Sequence, residues 1–233
     1  MPVLRAKSAA RLDFAHLVHD EKYKNLPYLT LYEVMDKQRP RCCWVILFDL
    51  VRDVTPLVRQ YRAKPEAETL LEYGGDDISH WFNASTGDIK TMLDLQTGRR
   101  VPVENIPHSE PDQPSSKWKA LETVPWWKDD RYIIGKLSAK DVFLHIANMC
   151  TNRLTDLIVA YEESVACIAE RYAKLEYNRH RQRQYVWKCN GNVLDMEKTL
   201  EQNGLDQNVL FMTVPCIWID FKPELNFNRP FHA

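Results

Sequence analysis

The sequence lacks any apolar run approaching the roughly 20 residues that cross a bilayer as a helix. Its longest such run, Cys42–Phe48, has the length of a buried strand. It also lacks a charge bias: 31 Lys and Arg face 32 Asp and Glu, a formal net charge of -1. That balance carries none of the basic excess that marks a nucleic-acid binder. Glycine is scarce, with seven residues spread along the chain, so no glycine-rich loop can cradle phosphate. The six cysteines stand at 42, 43, 150, 167, 189 and 216. They form no C-x-x-C pair and no Cys/His spacing of a zinc site. They read as reduced thiols that pack like small hydrophobes, as expected in the cytoplasm. The N-terminus shows no secretory apolar region. Arg5, Lys7, Ser8 and Arg11 precede the first acid, Asp13, a faintly presequence-like pattern, and residues 1–27 read as a leader. No tail anchor is expected from the final Asn-Arg-Pro-Phe-His-Ala.

What remains is ordinary globular material: 45% apolar and 27% charged residues over 233 positions, enough for one or two domains. Residues 28–95 are dense in apolar side chains and turn signals. Thr30-Leu31-Tyr32-Glu33 fits a capping box that opens a short helix. Trp44–Phe48 reads as a strand, Asp49-Leu50 as a tight turn, and Val51–Val54 as the returning strand. Thr55-Pro56 starts a helix ending near Tyr61. A second helix is predicted over Glu66–Tyr73, stopped by Gly74-Gly75. Asp76 and Asp77 then cap a short helix through His80 and Phe82. Residues 96–137 hold Pro102, Pro107, Pro111, Pro114 and Pro125 and read as a linker carrying Trp118, Trp126 and Trp127.

Residues 138–223 return to regular periodicity. Val142–Ala147 and Leu154–Ala160 read as strands, and Val165, Ile168, Ala169 and Tyr172 share one face of a helix. Tyr185–Lys188 restarts strand, Asn190-Gly191 is a type I′ turn signal, and Pro215–Phe221 closes the sheet. This order of elements resembles ubiquitin. No terminal Gly-Gly tail follows, and residues 224–233 read as a tail, so a docking face is expected in place of a conjugated modifier. The expected fold class is α+β, a degenerate cytochrome b5-like domain followed by a ubiquitin-like β-grasp domain.

The first half is expected because Tyr28–Val34, Trp44–Ile46, Val51–Thr55 and Leu70–Asp77 resemble a cytochrome b5 domain. A more specific resemblance runs through both modules. Asp77-Ile78-Ser79-His80-Trp81-Phe82, Asp88-Ile89-Lys90, Pro125-Trp126-Trp127, Gly135–Lys140 and Trp187-Lys188, with Leu194-Asp195-Met196, Thr199–Glu201 and Asn203-Gly204, are similar to the cytochrome b5 domain-containing protein 1 family. That resemblance implies a radial spoke stalk protein of motile cilia, proposed to bind haem. The sequence departs from ordinary cytochrome b5 domains at their His-Pro-Gly-Gly, where it reads Tyr61-Arg62-Ala63-Lys64-Pro65. Tyr61 therefore stands close to the position of the first axial histidine. His80 is the one histidine between residues 20 and 107. The pair are the candidate axial ligands of a haem iron, and phenolate, a hard anionic donor, would favour the ferric state. Arg62 and Lys64 could pair with the propionates. The bland alternative is a closed or empty pocket, with Tyr61 and Met92 packing and His80 hydrogen-bonded.

No catalytic constellation stands out. Ser79 and His80 are neighbours and would point apart on a helix, and Asp76 with Asp77 reads as capping. An enzyme is not expected. Trp118, Trp126 and Trp127, large aromatics in a linker, are expected to pack on the other domain or else to be partner anchors, and the basic Arg179, Arg181 and Arg183 could meet an acidic surface such as the doublet microtubule. The expected role is a structural adaptor of the cilium or flagellum axoneme that meets radial spoke proteins and neither nucleic acid nor membrane. Haem is an optional cofactor for redox signalling. The alternatives are a soluble haem redox protein or electron carrier, and a ubiquitin-like-domain adaptor.

Overall fold

The computed structural model describes residues 21–39, 41–107, 124–175, 185–205 and 216–221. These form two compact units divided after Leu137.

The first unit is built on a five-stranded sheet. Its strands are β1 (Tyr28–Leu29), β2 (Gln38–Arg39), β3 (Cys42–Leu47), β4 (Leu50–Asp53) and β7 (Ile133–Leu137), in the order β1-β7-β4-β3-β2. β1 runs parallel to β7, and the other pairs are antiparallel. β5 (Thr91–Leu93) and β6 (Arg100–Pro102) form a separate hairpin.

Three short helices precede that hairpin: α1 (Leu31–Met35), α2 (Thr55–Gln60) and α3 (Pro65–Glu72). α1 begins with the expected capping box, in which Thr30 Oγ1 accepts from Glu33 N at 3.1 Å and Thr30 N donates to the Glu33 carboxylate at 2.9 Å. In α2, Val54 takes the N-cap position and Thr55 is the first helical residue. The Thr55 hydroxyl accepts from Cys43 N at 2.9 Å, tying the helix to β3. Tyr61 caps the C-terminus of α2, and Gly75, at φ +88°, carries the chain away from α3.

The expected hairpin turn is displaced by one residue. It is Phe48 and Asp49 that sit at φ +55° and +59°, not Asp49-Leu50. A phenylalanine in the left-handed region is strained. Its ring is drawn into the core, edge-on to Phe82 at 6.3 Å between centroids, and Phe48 N donates to Ser79 Oγ at 2.7 Å.

The linker expected over 96–137 also needs correction. Ile106 is fully buried, a 3-10 turn covers Trp126–Lys128, and β7 pairs with β4 and β1 inside the main sheet. Nearby prolines set the composition, but Ile133–Leu137 gains its structure from pairing with strands distant in sequence.

The second unit is a mixed sheet packed on one helix. β8 (Asp141–Asn148) and β9 (Arg153–Ala160) form an antiparallel hairpin, and α4 (Val165–Leu175) crosses over. β10 (Tyr185–Cys189), β11 (Asn192–Val193) and β12 (Cys216–Phe221) complete the order β11-β10-β12-β8-β9, with β12 parallel to β8. A parallel central pair formed by the first and last strands, flanked by hairpins and holding one helix, is the β-grasp topology. Asn190 and Gly191, at φ +50° and +81°, make the predicted type I′ turn. α4 buries Val165, Ile168, Ala169 and Tyr172 against Val142, Leu144, Ile146, Trp187, Ile217 and Ile219.

Candidate functional site

Each functional candidate of the first unit follows from its element. Tyr61 is half-buried at the end of α2, with the Lys64 ammonium 5.1 Å from its ring centroid. His80 lies on the 3-10 turn Ser79–Trp81 and is exposed. Its Nδ1 is 3.1 Å from the Asp77 carbonyl oxygen, and its ring lies edge-on to Trp81 at 5.7 Å. The Lys90 ammonium donates to the His80 carbonyl at 2.8 Å. Ile78, not the expected Asp76 or Asp77, takes the N-cap position of this turn, and the Asp77 carboxylate just before it accepts from Ser79 N at 2.9 Å. Met92 is exposed on β5. Among the described residues no three His, Cys, Asp or Glu side chains group to hold a metal ion.

Trp126 and Trp127 were expected to pack on the other domain or anchor a partner, and the structure places them instead in the core of their own unit. Their exposures are 6% and 9%, and both belong to the core formed by Val45, Leu47, Val58, Leu70, Ile78 and Phe82. Trp126 Nε1 donates to the Pro107 carbonyl at 2.8 Å, and its ring meets Phe82, Trp127 and Tyr132 edge-on at 6.5, 5.8 and 6.4 Å. The two indoles add large apolar surface to that core. The other named anchors, Trp118, Arg179, Arg181 and Arg183, lie outside the described residues, as do residues 1–20 of the expected leader 1–27 and the tail over 224–233. The end of that leader is ordered on the first unit, with a 3-10 turn over Glu21–Tyr23 and Tyr23 Oη donating to Asp130 at 2.8 Å.

A cavity of about 570 Å³ opens between α2 and α3. Its apolar wall is Val58, Ala63, Ala67 and Leu71, of which Val58 and Ala67 are buried. Its polar rim is Arg41, Arg59 and Arg62 with Glu68. Arg59 Nη2 donates to the Arg41 carbonyl at 3.3 Å, which steadies one guanidinium beside the entrance to β3. The sequence reading singled out Arg62 and missed Arg41 and Arg59. Arg59 in the last turn of α2 and Arg62 just past its C-cap were a usable signal. Arg41 reaches the same rim only because β3 begins beside α2.

This cavity does not fit a haem iron. Iron needs a His, Met, Cys or Tyr donor, and none lines the space. The donor types of Tyr61 and His80 suit ferric haem, but neither residue faces the cavity. Burial holds the nearby Cys43 as a neutral thiol, its pKa pushed up to about 12, so it is no ready thiolate ligand. Haem ligation by Tyr61 and His80 would need a site other than this cavity.

Fold and site together define a two-module α+β protein, with a short-helix unit on a mixed sheet followed by a β-grasp unit. The chain belongs to the cytochrome b5 domain-containing protein 1 family. It is 41% identical over 194 residues to cytochrome b5 domain-containing protein 1 of Xenopus laevis, spanning 78% of this chain and 88% of that protein. The mouse and human proteins of that name are 37% and 36% identical, over 76% and 80% of this chain and 78% and 82% of theirs. No protein-family model matches. Solved structures similar in part include a designed protein based on ubiquitin, at 14% identity and TM-score 0.29 over 36% of this chain and 92% of that chain. A ubiquitin-like domain from Arabidopsis thaliana gives 13% identity and TM-score 0.30 over 36% of this chain and 81% of that chain.

Proposed function

We propose that this protein is a non-enzymatic adaptor of the motile axoneme, a radial spoke component that holds neighbours through its folded surfaces, with haem optional. The supporting observation is the family membership across both units, joined to a β-grasp module that presents exposed apolar side chains. Phe143, Leu154 and Trp218 stand exposed on adjoining strands of that module. The partners of this reading are radial spoke proteins and the doublet microtubule, and its location is the cilium or flagellum axoneme.

Detergent-extracted cilia test it. The protein should stay in the axonemal pellet with the spokes and leave only under conditions that strip spokes. Recovery in the soluble membrane-and-matrix fraction would overturn the reading.

The second reading, a haem redox protein, is favoured by the donor types at Tyr61 and His80. Haemin added to purified protein should then give a Soret band that changes in Tyr61→Phe and in His80→Ala. Identical spectra for wild type and both variants would end it.

A further inference from the structure

We propose that the cavity between α2 and α3 binds a small anionic amphiphile, a carboxylate on an apolar body, with no metal ion involved. The volume of about 570 Å³ lies within the range of small-molecule sites, roughly 300–1,000 Å³. Such sites pair an apolar wall with a few polar groups that fix orientation. Here the wall is Val58, Ala67 and Leu71, and the rim carries three arginines against one acid, Glu68.

The arginines are not spent on each other's neighbours. Among the described residues, Arg41, Arg59 and Arg62 make no ion pair, including none with Glu68. Guanidinium groups present a planar fork that meets a carboxylate with two parallel hydrogen bonds. Arg59 is already steadied on the Arg41 carbonyl, so part of the ordering needed for binding is present in the fold.

The turn that closes one end adds a second observation. Ala63 lines the cavity at φ +65°, where a residue with a Cβ is strained. Local strain of this kind collects at ligand-holding positions. The apolar wall selects an alkyl or aryl body, and the rim selects the negative head. A neutral ligand of the same body would leave the arginines without partners.

Calorimetric titration of the full chain with decanoate, in metal-free buffer below the micellar concentration, tests the proposal. Saturable one-to-one binding is expected, with decanol at least about tenfold weaker, the loss that one charge-assisted hydrogen bond brings. The double variant Arg41→Gln/Arg62→Gln should lose at least about tenfold for decanoate at an unchanged thermal midpoint. Should that variant fold poorly, salt decides on the wild-type protein: added KCl should weaken decanoate and leave decanol as it was. No saturable decanoate binding, equal affinity for decanol, or decanoate binding insensitive to both the double variant and salt would each overturn the proposal. Capture by phosphatidylserine vesicles without binding of free decanoate would overturn it as well, since surface charge alone would then be the cause.

Discussion

Single side chains in this protein carry more of the fold than their surroundings in sequence suggest. Trp126 sits among prolines and charges, yet it is a core residue bonded to the Pro107 carbonyl and packed on Phe82. Trp126→Ala should destabilise the first unit by about 3–5 kcal/mol, the usual cost of emptying a large aromatic site. Urea unfolding followed by far-ultraviolet dichroism would measure this. A cost near zero would return Trp126 to the surface. Nothing local in the sequence distinguishes a loop tryptophan that anchors a partner from one that turns back onto its own sheet. Cys43 offers a second residue-scale prediction. Burial raises its pKa from 9.0 to about 12. Below pH 9 both folded and unfolded thiols are protonated. Between pH 9 and 12 the unfolded chain ionises first, so this residue's contribution to stability is lost as pH rises through that window. Cys43→Ala should show a shallower loss of stability from pH 9 to 10.5 than the wild type, read from the urea midpoint. An equal slope would count against the buried neutral thiol.

At the scale of elements, legibility follows locality. The capping box of α1, the stops around α3 and the Asn190-Gly191 turn were all readable, because each is decided within a few residues. Thr30→Ala should cost about 1 kcal/mol, a normal loss for a cap, measurable as a lowered thermal midpoint. The hairpin turn between β3 and β4 was misplaced by one residue because a long-range attraction, the Phe82 ring on Phe48, overrides the local preference for glycine or asparagine at positive φ. β7 was missed altogether for the same reason. Its Gly135 shows how closely β1 approaches: an added Cβ would lie 2.7 Å from Leu29 Cδ1 and 2.9 Å from the Pro27 carbonyl oxygen. Gly135→Ala should therefore push β1 from β7 and cost about 1–3 kcal/mol, the range of overpacking. Amide exchange at Lys136, whose N donates to the Pro27 carbonyl, would report the loosening. Unchanged protection there would argue that the strand pair has room.

At the scale of the molecule, the described residues up to Leu137 hold a core around Trp126 and Phe82 and a smaller cluster of Val34, Ile46 and Val51, and those after it a core around Tyr172 and Trp187. The β-grasp half was legible nearly in full, since hairpins, a helix stripe and an alternating last strand announce themselves in order. The candidate site was legible only in part. Tyr61 and His80 were visible as donor types, but the arginine rim depends on how β3, α2 and α3 meet, which no periodicity encodes. In the adaptor reading each half serves by the side chains it presents to neighbours. The most direct measurement is a map of the intact axoneme at a resolution that traces side chains. The adaptor reading expects both units built against radial spoke stalk proteins, with partner chains on the exposed strands of the β-grasp sheet. A map in which every spoke density is accounted for by other chains, while this protein is recovered from the soluble ciliary matrix, would contradict it.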